Sequence, residues 1–86
     1  MSRDSGEHGT LLSITYATPE RARRIERAIA PEVGDIDDDR SRTRMDREAA
    51  ELRLAIEAQD LVALRGALNT WLSLVSTAER AGGVDQ

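Results

Sequence analysis

The stretch of sequence that decides the fold is ELRLAIEAQDL, residues 51–61. Leu52, Leu54 and Ile56 alternate with charged or small residues, and a period of two residues is typical of a strand that buries one face. Asp60 is a good helix N-cap, and a run with helical spacing follows it to about residue 81, where two glycines are expected to stop the helix. The stretch therefore predicts a half-buried strand followed directly by the last helix.

A second alternating run precedes this strand. Residues 40–45 place three arginines on one side and Ser41, Thr43 and Met45 on the other. The polar residues 46–50 that join the two runs are short enough for a hairpin connection, although they lack an Asn-Gly turn signal. We expect two antiparallel strands joined by this linker.

The first part of the chain carries another strand and another helix. Residues 11–17 alternate as a half-buried strand does. Thr18, Pro19 and Glu20 then supply an N-cap, a proline suited to the first helical position and an acid near the positive end of the helix dipole. We expect Pro31 to end this helix and an acidic loop to follow it.

The order strand, helix, strand, strand, helix predicts an α+β fold. A right-handed crossover places the third strand between the first two and antiparallel to both, with both helices on one face. This β-α-β-β-α arrangement is a ferredoxin-like split unit without its last strand. It would form a single domain over residues 10–82, with tails at residues 1–9 and 83–86. Because a three-stranded antiparallel sheet has open edges and a bare face, we expect a homodimer through the sheets.

Length, cysteine content and charge limit the function classes. A chain of 86 residues without cysteine has little core and no disulfide, so association with another chain is expected. No apolar run is long enough for a membrane span and no secretory signal is visible, which favours a cytoplasmic protein. The net charge of −4 argues against stand-alone, non-specific nucleic-acid binding. All 12 basic residues are Arg, which suits a salt-rich cytoplasm and a GC-rich genome equally well.

The sequence does not indicate a catalytic site. His8 is the one histidine and lies in the expected tail, so the usual general base and thiol nucleophile are missing from the predicted domain. The aspartates at residues 37–39 lack the ligand spacing of a calcium loop. We therefore expect a protein that is not an enzyme and that requires neither a metal nor a cofactor.

The last helix carries the strongest anomaly. Residues 61–78 contain a single charge, Arg65, in a chain that is 33% charged. One arc of about 100° is expected to cover the sheet; it holds Leu61, Leu64, Leu68, Trp71, Leu72 and Val75. The neighbouring arc is uncharged and mostly small, which predicts a docking surface for a partner helix, although the first helix of the same chain could cover part of it. The residues of that second arc are Ala63, Gly66, Ala67, Thr70, Ser73, Leu74 and Thr77.

Two interpretations of the arginines stay open. One strand carries a row of three arginines, Arg40, Arg42 and Arg44. This row could contact RNA phosphates, or it could face the solvent and pair with glutamates across the sheet. Arg65 could likewise contact a partner carboxylate or an RNA phosphate, or it could pair with a carboxylate of its own chain such as Asp60.

Three segments of the chain resemble the Pcc family, the small dimerising subunit of the KEOPS complex of archaea and eukaryotes. They are ITYATPERA at residues 14–22, AIAPE at 28–32 and IEAQDLVALRGALNTWL at 56–72. The last is the most specific, because it joins a strand ending in Glu-Ala-x-Asp to a Leu-Arg-x-x-x-Asn-x-x-Leu helix.

The resemblance implies a non-catalytic subunit of the machinery that makes threonylcarbamoyladenosine in transfer RNA. A homodimer would dock its helices on the threonylcarbamoyl-transferase subunit and support transfer RNA engagement. The docking face would include Gly66, Ala67, Thr70 and Leu74. The alternative is a small stand-alone RNA-binding module that uses the arginine-lined strand.

Overall fold

The computed structural model describes residues 8–35, 37 and 39–83. A strand and a helix come first, a hairpin follows, and a long helix ends the described chain. The elements are β1 (His8–Thr15), α1 (Pro19–Ile29) with a short 3₁₀ helix (Ala30–Glu32), β2 (Ser41–Glu48), β3 (Glu51–Ala58) and α2 (Leu61–Gly83).

β3 is the central strand of the sheet. The strand order is β1-β3-β2, and both outer strands run antiparallel to β3. The inward row of β3 is fully buried beneath both helices, where Leu54 packs in one cluster with Ile25 of α1 and Trp71 of α2. The predicted β-α-β-β-α order and three-stranded antiparallel sheet are therefore confirmed, with both helices on one face.

The first helix begins and ends as its sequence predicts. The Oγ1 of Thr18 accepts a hydrogen bond of 3.1 Å from the backbone N–H of Arg21, and Pro19 is the first helical residue. The helix buries a narrow stripe that includes Ile25 and Ile29. It stops at Ile29 and tightens into the 3₁₀ turn that contains Pro31, because proline has no N–H to continue the helical bonding.

The first strand is shifted toward the amino terminus relative to the prediction. It begins at His8, which pairs with Ala58 at the far end of β3. It ends at Thr15, and the next N–H, that of Tyr16, donates to the carbonyl of Ala50 at 2.9 Å. Two residues of the expected amino-terminal tail therefore belong to the sheet, and residues 1–7 and 84–86 lie outside the described part of the chain.

The predicted five-residue hairpin linker is wrong. Residues 46–48 continue β2, and the turn consists of Ala49 and Ala50 alone. The strand continues because its charged residues form ion pairs on both faces of the sheet. On the helix side the Nε of Arg47 donates to the Oε1 of Glu26 on α1 at 2.7 Å.

Neither described helix combines the length and apolarity that a membrane crossing requires. Within the described residues, no group of three or more His, Cys, Asp or Glu side chains could hold a metal ion. Asp37 instead has a structural contact, since its Oδ1 accepts a hydrogen bond of 2.9 Å from the backbone N–H of Thr43 on β2.

Candidate interaction surfaces

The amino-terminal end of α2 is fixed to the start of β2. The Oδ1 of Asp60 accepts from the backbone N–H of Ala63 at 2.8 Å, which confirms the predicted N-cap. The Nη2 of Arg40 donates to both carboxylate oxygens of Asp60, at 3.1 and 2.9 Å. The Ala63 N–H, followed by Arg40, holds the pKa of Asp60 below its ordinary value. Arg40 thus lies just before the strand and positions the helix.

The buried side of α2 is centred on Trp71. Its indole is fully buried, and the Nε1 donates to the Oγ1 of Thr43 at 3.0 Å. Ala67 and Val75 lie one turn to either side and are also buried. The prediction that Leu61 and Leu72 cover the sheet is wrong, because these side chains are 57% and 43% exposed. At 100° per residue, the helix is rotated by about 50° from the predicted orientation.

This rotation divides the predicted docking arc. Ala67 is only 7% exposed and belongs to the core of its own chain, and Leu74 packs partly buried against that core. Ala63 is half-buried at the margin. The exposed remainder forms one line along the helix, which we call the small-residue stripe; it consists of Gly66, Thr70, Ser73 and Thr77.

The small-residue stripe carries no charge, and one of its hydroxyl groups forms a hydrogen bond within the helix. The Oγ1 of Thr70 donates to the carbonyl of Gly66 at 3.0 Å, a local bond that ties the hydroxyl to the helix backbone. No heavy atom lies within 4 Å of the position that a Cβ would occupy at Gly66, leaving out the helix's own backbone. Packing inside the described chain therefore does not require a glycine there, although glycine costs a helix about 1 kcal/mol relative to alanine.

A groove runs beside this stripe, between the first turns of α2 and the start of β2. It has a volume of about 280 Å³ and includes Val62, which is 71% exposed. Its other lining residues are Arg40, Ser41, Ala63, Gly66, Ala67 and Thr70. Polar side chains of the strand and small or apolar residues of the helix thus line this groove together.

The remaining arginines of the predicted row lie on the bare face of the sheet. Arg42 and Arg44 are exposed, and among the described residues their side chains form neither a hydrogen bond nor an ion pair. Arg53 on β3 is instead the residue that pairs, with an Nε–Oδ1 distance of 2.9 Å to Asp46 and longer contacts to two glutamates. The expected pairing of Arg42 and Arg44 with glutamates across the sheet is therefore not found among the described residues, and the cross-strand ion pair on this face joins Arg53 to Asp46.

The other candidate residues are dispersed. Arg65 and Asn69 are exposed on α2, and Asp60, the expected internal partner of Arg65, bonds Arg40. Tyr16 is half-buried, and its hydroxyl donates a hydrogen bond of 2.7 Å to the carboxylate of Glu79 near the end of α2. Burial and this carboxylate raise the pKa of the phenol. Tyr16 and the buried Trp71 are the two aromatic residues of the sequence. Neither lies on the bare face of the sheet beside Arg42 and Arg44, where it could stack on a base.

Sequence reasoning missed two positioning residues. Thr43 was predicted only as part of an alternating run, and its role as the buried partner of Trp71 has no local signal. Arg47 falls within the predicted hairpin linker, although the alternation that includes Thr43 and Met45 continues to it. That continuation is the signal that could have placed Arg47 on the helix side.

Comparison with known proteins gives one clear relationship. No curated protein matches the sequence significantly. A family model described as "Transcription factor Pcc1" matches residues 10–81, from the first strand into the last helix. This match spans the three strands and the helices apart from the first two residues of β1 and the last two residues of α2. The chain therefore belongs to the Pcc1 family, whose members are subunits of the KEOPS complex.

Proposed function

We propose that this protein is a non-catalytic, homodimeric scaffold subunit of the KEOPS complex. In this role it supports the formation of threonylcarbamoyladenosine in transfer RNA, with α2 docked on helices of the threonylcarbamoyl-transferase subunit. The observation that carries the proposal is Gly66, an exposed mid-helix glycine that nothing in the described chain requires. The close approach of a partner backbone explains such a glycine.

The surroundings of Gly66 support the same role. The small-residue stripe continues for three turns without a charge, so its burial against another helix has no ionic desolvation cost. Small residues also allow two helix axes to approach closely, within the usual 8–10 Å range of packed helices. The adjoining groove offers a place for a larger side chain of the partner.

A bulky substitution in the stripe tests the docking. The Gly66→Leu variant and the wild-type protein are each mixed with the threonylcarbamoyl-transferase subunit and measured by size-exclusion chromatography with light scattering. We expect the wild type to co-elute with the enzyme subunit and the variant to be excluded, because the added side chain separates the two helices. Open space around Gly66 means that the variant itself should fold, which circular dichroism verifies.

The matched control adds the same kind of bulk on the other side of the sheet. Ala55→Leu lies on the bare face, away from both helices, and should leave co-elution unchanged. If Gly66→Leu still co-eluted as the wild type does, the stripe would not be the docking surface. If neither variant nor the wild type co-eluted, the proposed partner would be wrong.

A second candidate function is a stand-alone RNA-binding module. It is supported by Arg42 and Arg44, whose guanidinium groups have no ion-pair partner among the described residues and are available for phosphates. Replacing both by Glu should then abolish RNA retention, whereas Arg23→Glu with Arg27→Glu, the same charge change on exposed positions of α1, should not. Equal RNA retention by both double variants would eliminate this candidate.

A further inference from the structure

The bare face of the sheet is positive at one end. Arg42 and Arg44 lie there on β2, both exposed and without an ion pair among the described residues. The one carboxylate at this end of the described sheet is that of Glu57, which lies opposite Arg42 on β3 and is likewise without an ion pair. The two arginines therefore leave this end with an uncompensated positive charge.

The other end of the same face carries an excess of carboxylates. Arg53 is its one basic residue among the described strands, and it contacts three acidic side chains. The N–O distances are 2.9 Å to Asp46, 3.3 Å to Glu48 and 3.6 Å to Glu51. Because one guanidinium cannot neutralise three carboxylates, this end is negative. The charge of the bare face thus changes sign along β2.

A partner that covers the whole face has to carry both signs. An RNA backbone is negative throughout, and beyond Arg44 it would meet the carboxylate of Asp46 about 7 Å further along the strand. A second copy of this chain carries the complementary pattern. A two-fold axis that crosses the strands between Arg44 and Asp46 places the positive end of each copy over the negative end of the other.

We propose that the bare faces of two copies stack on each other in this orientation. The β2 strands then lie antiparallel above one another, and Arg44 faces Asp46 of the second copy. Arg42 faces Glu48 of the second copy in the same way. Stacked sheets lie about 10 Å apart, a gap that an arginine and an acidic side chain span together. The contact is separate from the helix docking of the proposed function and does not depend on it.

The middle of the face allows a close approach. Ala55 is the smallest residue of β3 on this face, and beside it lies a trough of about 430 Å³ whose lining includes Leu11. Leu11 is 61% exposed, and stacking would remove part of this apolar surface from water. One match is unfavourable, that of Glu57 with Glu51 of the second copy, but each of these carboxylates has an arginine of its own copy as a neighbour.

The area and the charges make this contact weak and sensitive to salt. Three strands of eight residues cover about 14 by 27 Å, or about 400 Å² on each copy. This is about half of what each partner buries in a standard protein interface. The screening length also falls from about 10 Å at 0.1 M salt to about 3 Å at 1 M. We therefore expect stacking at high protein concentration and low salt.

The first test is the molar mass of the wild-type protein, measured by sedimentation equilibrium at about 0.5 mM protein in about 0.1 M and about 1 M salt. We expect the weight-average mass to be about 1.5- to 2-fold higher in the lower salt, because screening removes the ion pairs between the copies. Equal masses in the two salts would overturn the stacking.

Two charge-reversed variants then identify the surface. The acidic variant carries Arg42→Glu and Arg44→Glu, and the basic variant carries Asp46→Arg and Glu48→Arg. Each variant alone brings like charges together, so its mass should be the same in both salts. An equimolar mixture should regain the increase at low salt, because the two faces are then complementary. The quadruple variant is complementary to itself and keeps the wild-type net charge, so it should associate as the wild type does even where the basic variant fails to fold.

The matched control is Arg23→Glu with Arg27→Glu, which makes the charge change of the acidic variant on exposed positions of α1 and should behave as the wild type. Association of either reversed variant at wild-type strength would overturn the stacking, since the contact would then lie elsewhere. A mixture and a quadruple variant that both stayed at their high-salt mass would overturn it too. Binding of a single-stranded RNA oligonucleotide by the wild type and not by the acidic variant would in that case assign the face to RNA.

Discussion

The indole Nε1 of Trp71 donates a hydrogen bond of 3.0 Å to the Oγ1 of Thr43, and both side chains are buried. This bond joins the middle of α2 to β2, an outer strand that lies 28 residues earlier in the chain. It fixes the rotation of the helix on the sheet. The side of α2 that faces away from the sheet, including the small-residue stripe, is oriented by the same contact.

Removing the acceptor should destabilise the protein markedly. Thr43→Val leaves the indole N–H buried without a partner, and we expect a loss of about 1–3 kcal/mol in the free energy of unfolding. Urea denaturation followed by the fluorescence of the single tryptophan measures this loss. Thr43→Ser retains the hydroxyl and serves as the control. If Thr43→Val were as stable as Thr43→Ser, the bond would not hold the helix.

The orientation of α2 shows what the sequence could and could not predict. Its boundaries and N-cap follow from local signals at Asp60 and the spacing of the apolar residues. Its rotation does not, because a helical wheel weighted by large side chains is centred between Leu68 and Val75. The actual centre is Trp71, since its hydrogen bond to a distant strand and the small size of Ala67 bring that side to the sheet.

The candidate docking surface on α2 could likewise be predicted only in part. The uncharged arc on α2 is visible in the sequence, but the division between its buried and exposed parts depends on the rotation of the helix. The boundaries of the hairpin could not be predicted from the sequence either, because its two-residue turn lacks a glycine and its strand ends are charged. Only the tertiary pairs, such as Arg47 with Glu26 and Arg53 with Asp46, show that these residues belong to strands.

The cap at Asp60 predicts a dependence of stability on pH. Its pKa is lowered in the folded state by the Ala63 N–H and by Arg40. The unfolded chain then binds the proton more tightly, so this contribution is fully present above the unfolded value of about 3.9 and is lost as the pH falls through the lower, folded value. Thermal unfolding between pH 7 and pH 2 at fixed protein concentration should show the loss.

Asp60→Asn isolates this contribution. Asparagine still caps the helix, but it cannot titrate or form an ion pair with Arg40. We expect a lower Tm than the wild type at pH 7 and a smaller difference between the two proteins at the lowest pH. A difference that stayed constant over the whole range would show that the Asp60 carboxylate does not contribute to the acid sensitivity.

The hairpin turn stores backbone strain at Ala49. Its φ is 55°, in the left-handed region that side chains other than glycine rarely adopt. This conformation costs an L-residue about 1–2 kcal/mol, and glycine's greater freedom in the unfolded chain offsets about 0.5–1 kcal/mol of the gain. Ala49→Gly should therefore raise the free energy of unfolding by about 0.5–1 kcal/mol in urea titrations. Ala50→Gly, where φ is not positive, should lower it.

Gly66 should be replaceable by alanine with a gain in stability. The added Cβ meets no atom within 4 Å apart from the helix's own backbone, and alanine is the better helix former by about 1 kcal/mol. For a domain of this size, that gain corresponds to a rise in Tm of about 4–8 °C. Ala63→Gly on the same helix provides the opposite change and should cost a similar amount.

A lower Tm for Gly66→Ala would mean that the fold itself requires the glycine, and the exclusion of Gly66→Leu from the enzyme subunit would then have a structural cause. A higher Tm, combined with that exclusion, would leave the approach of a partner as the reason for this glycine.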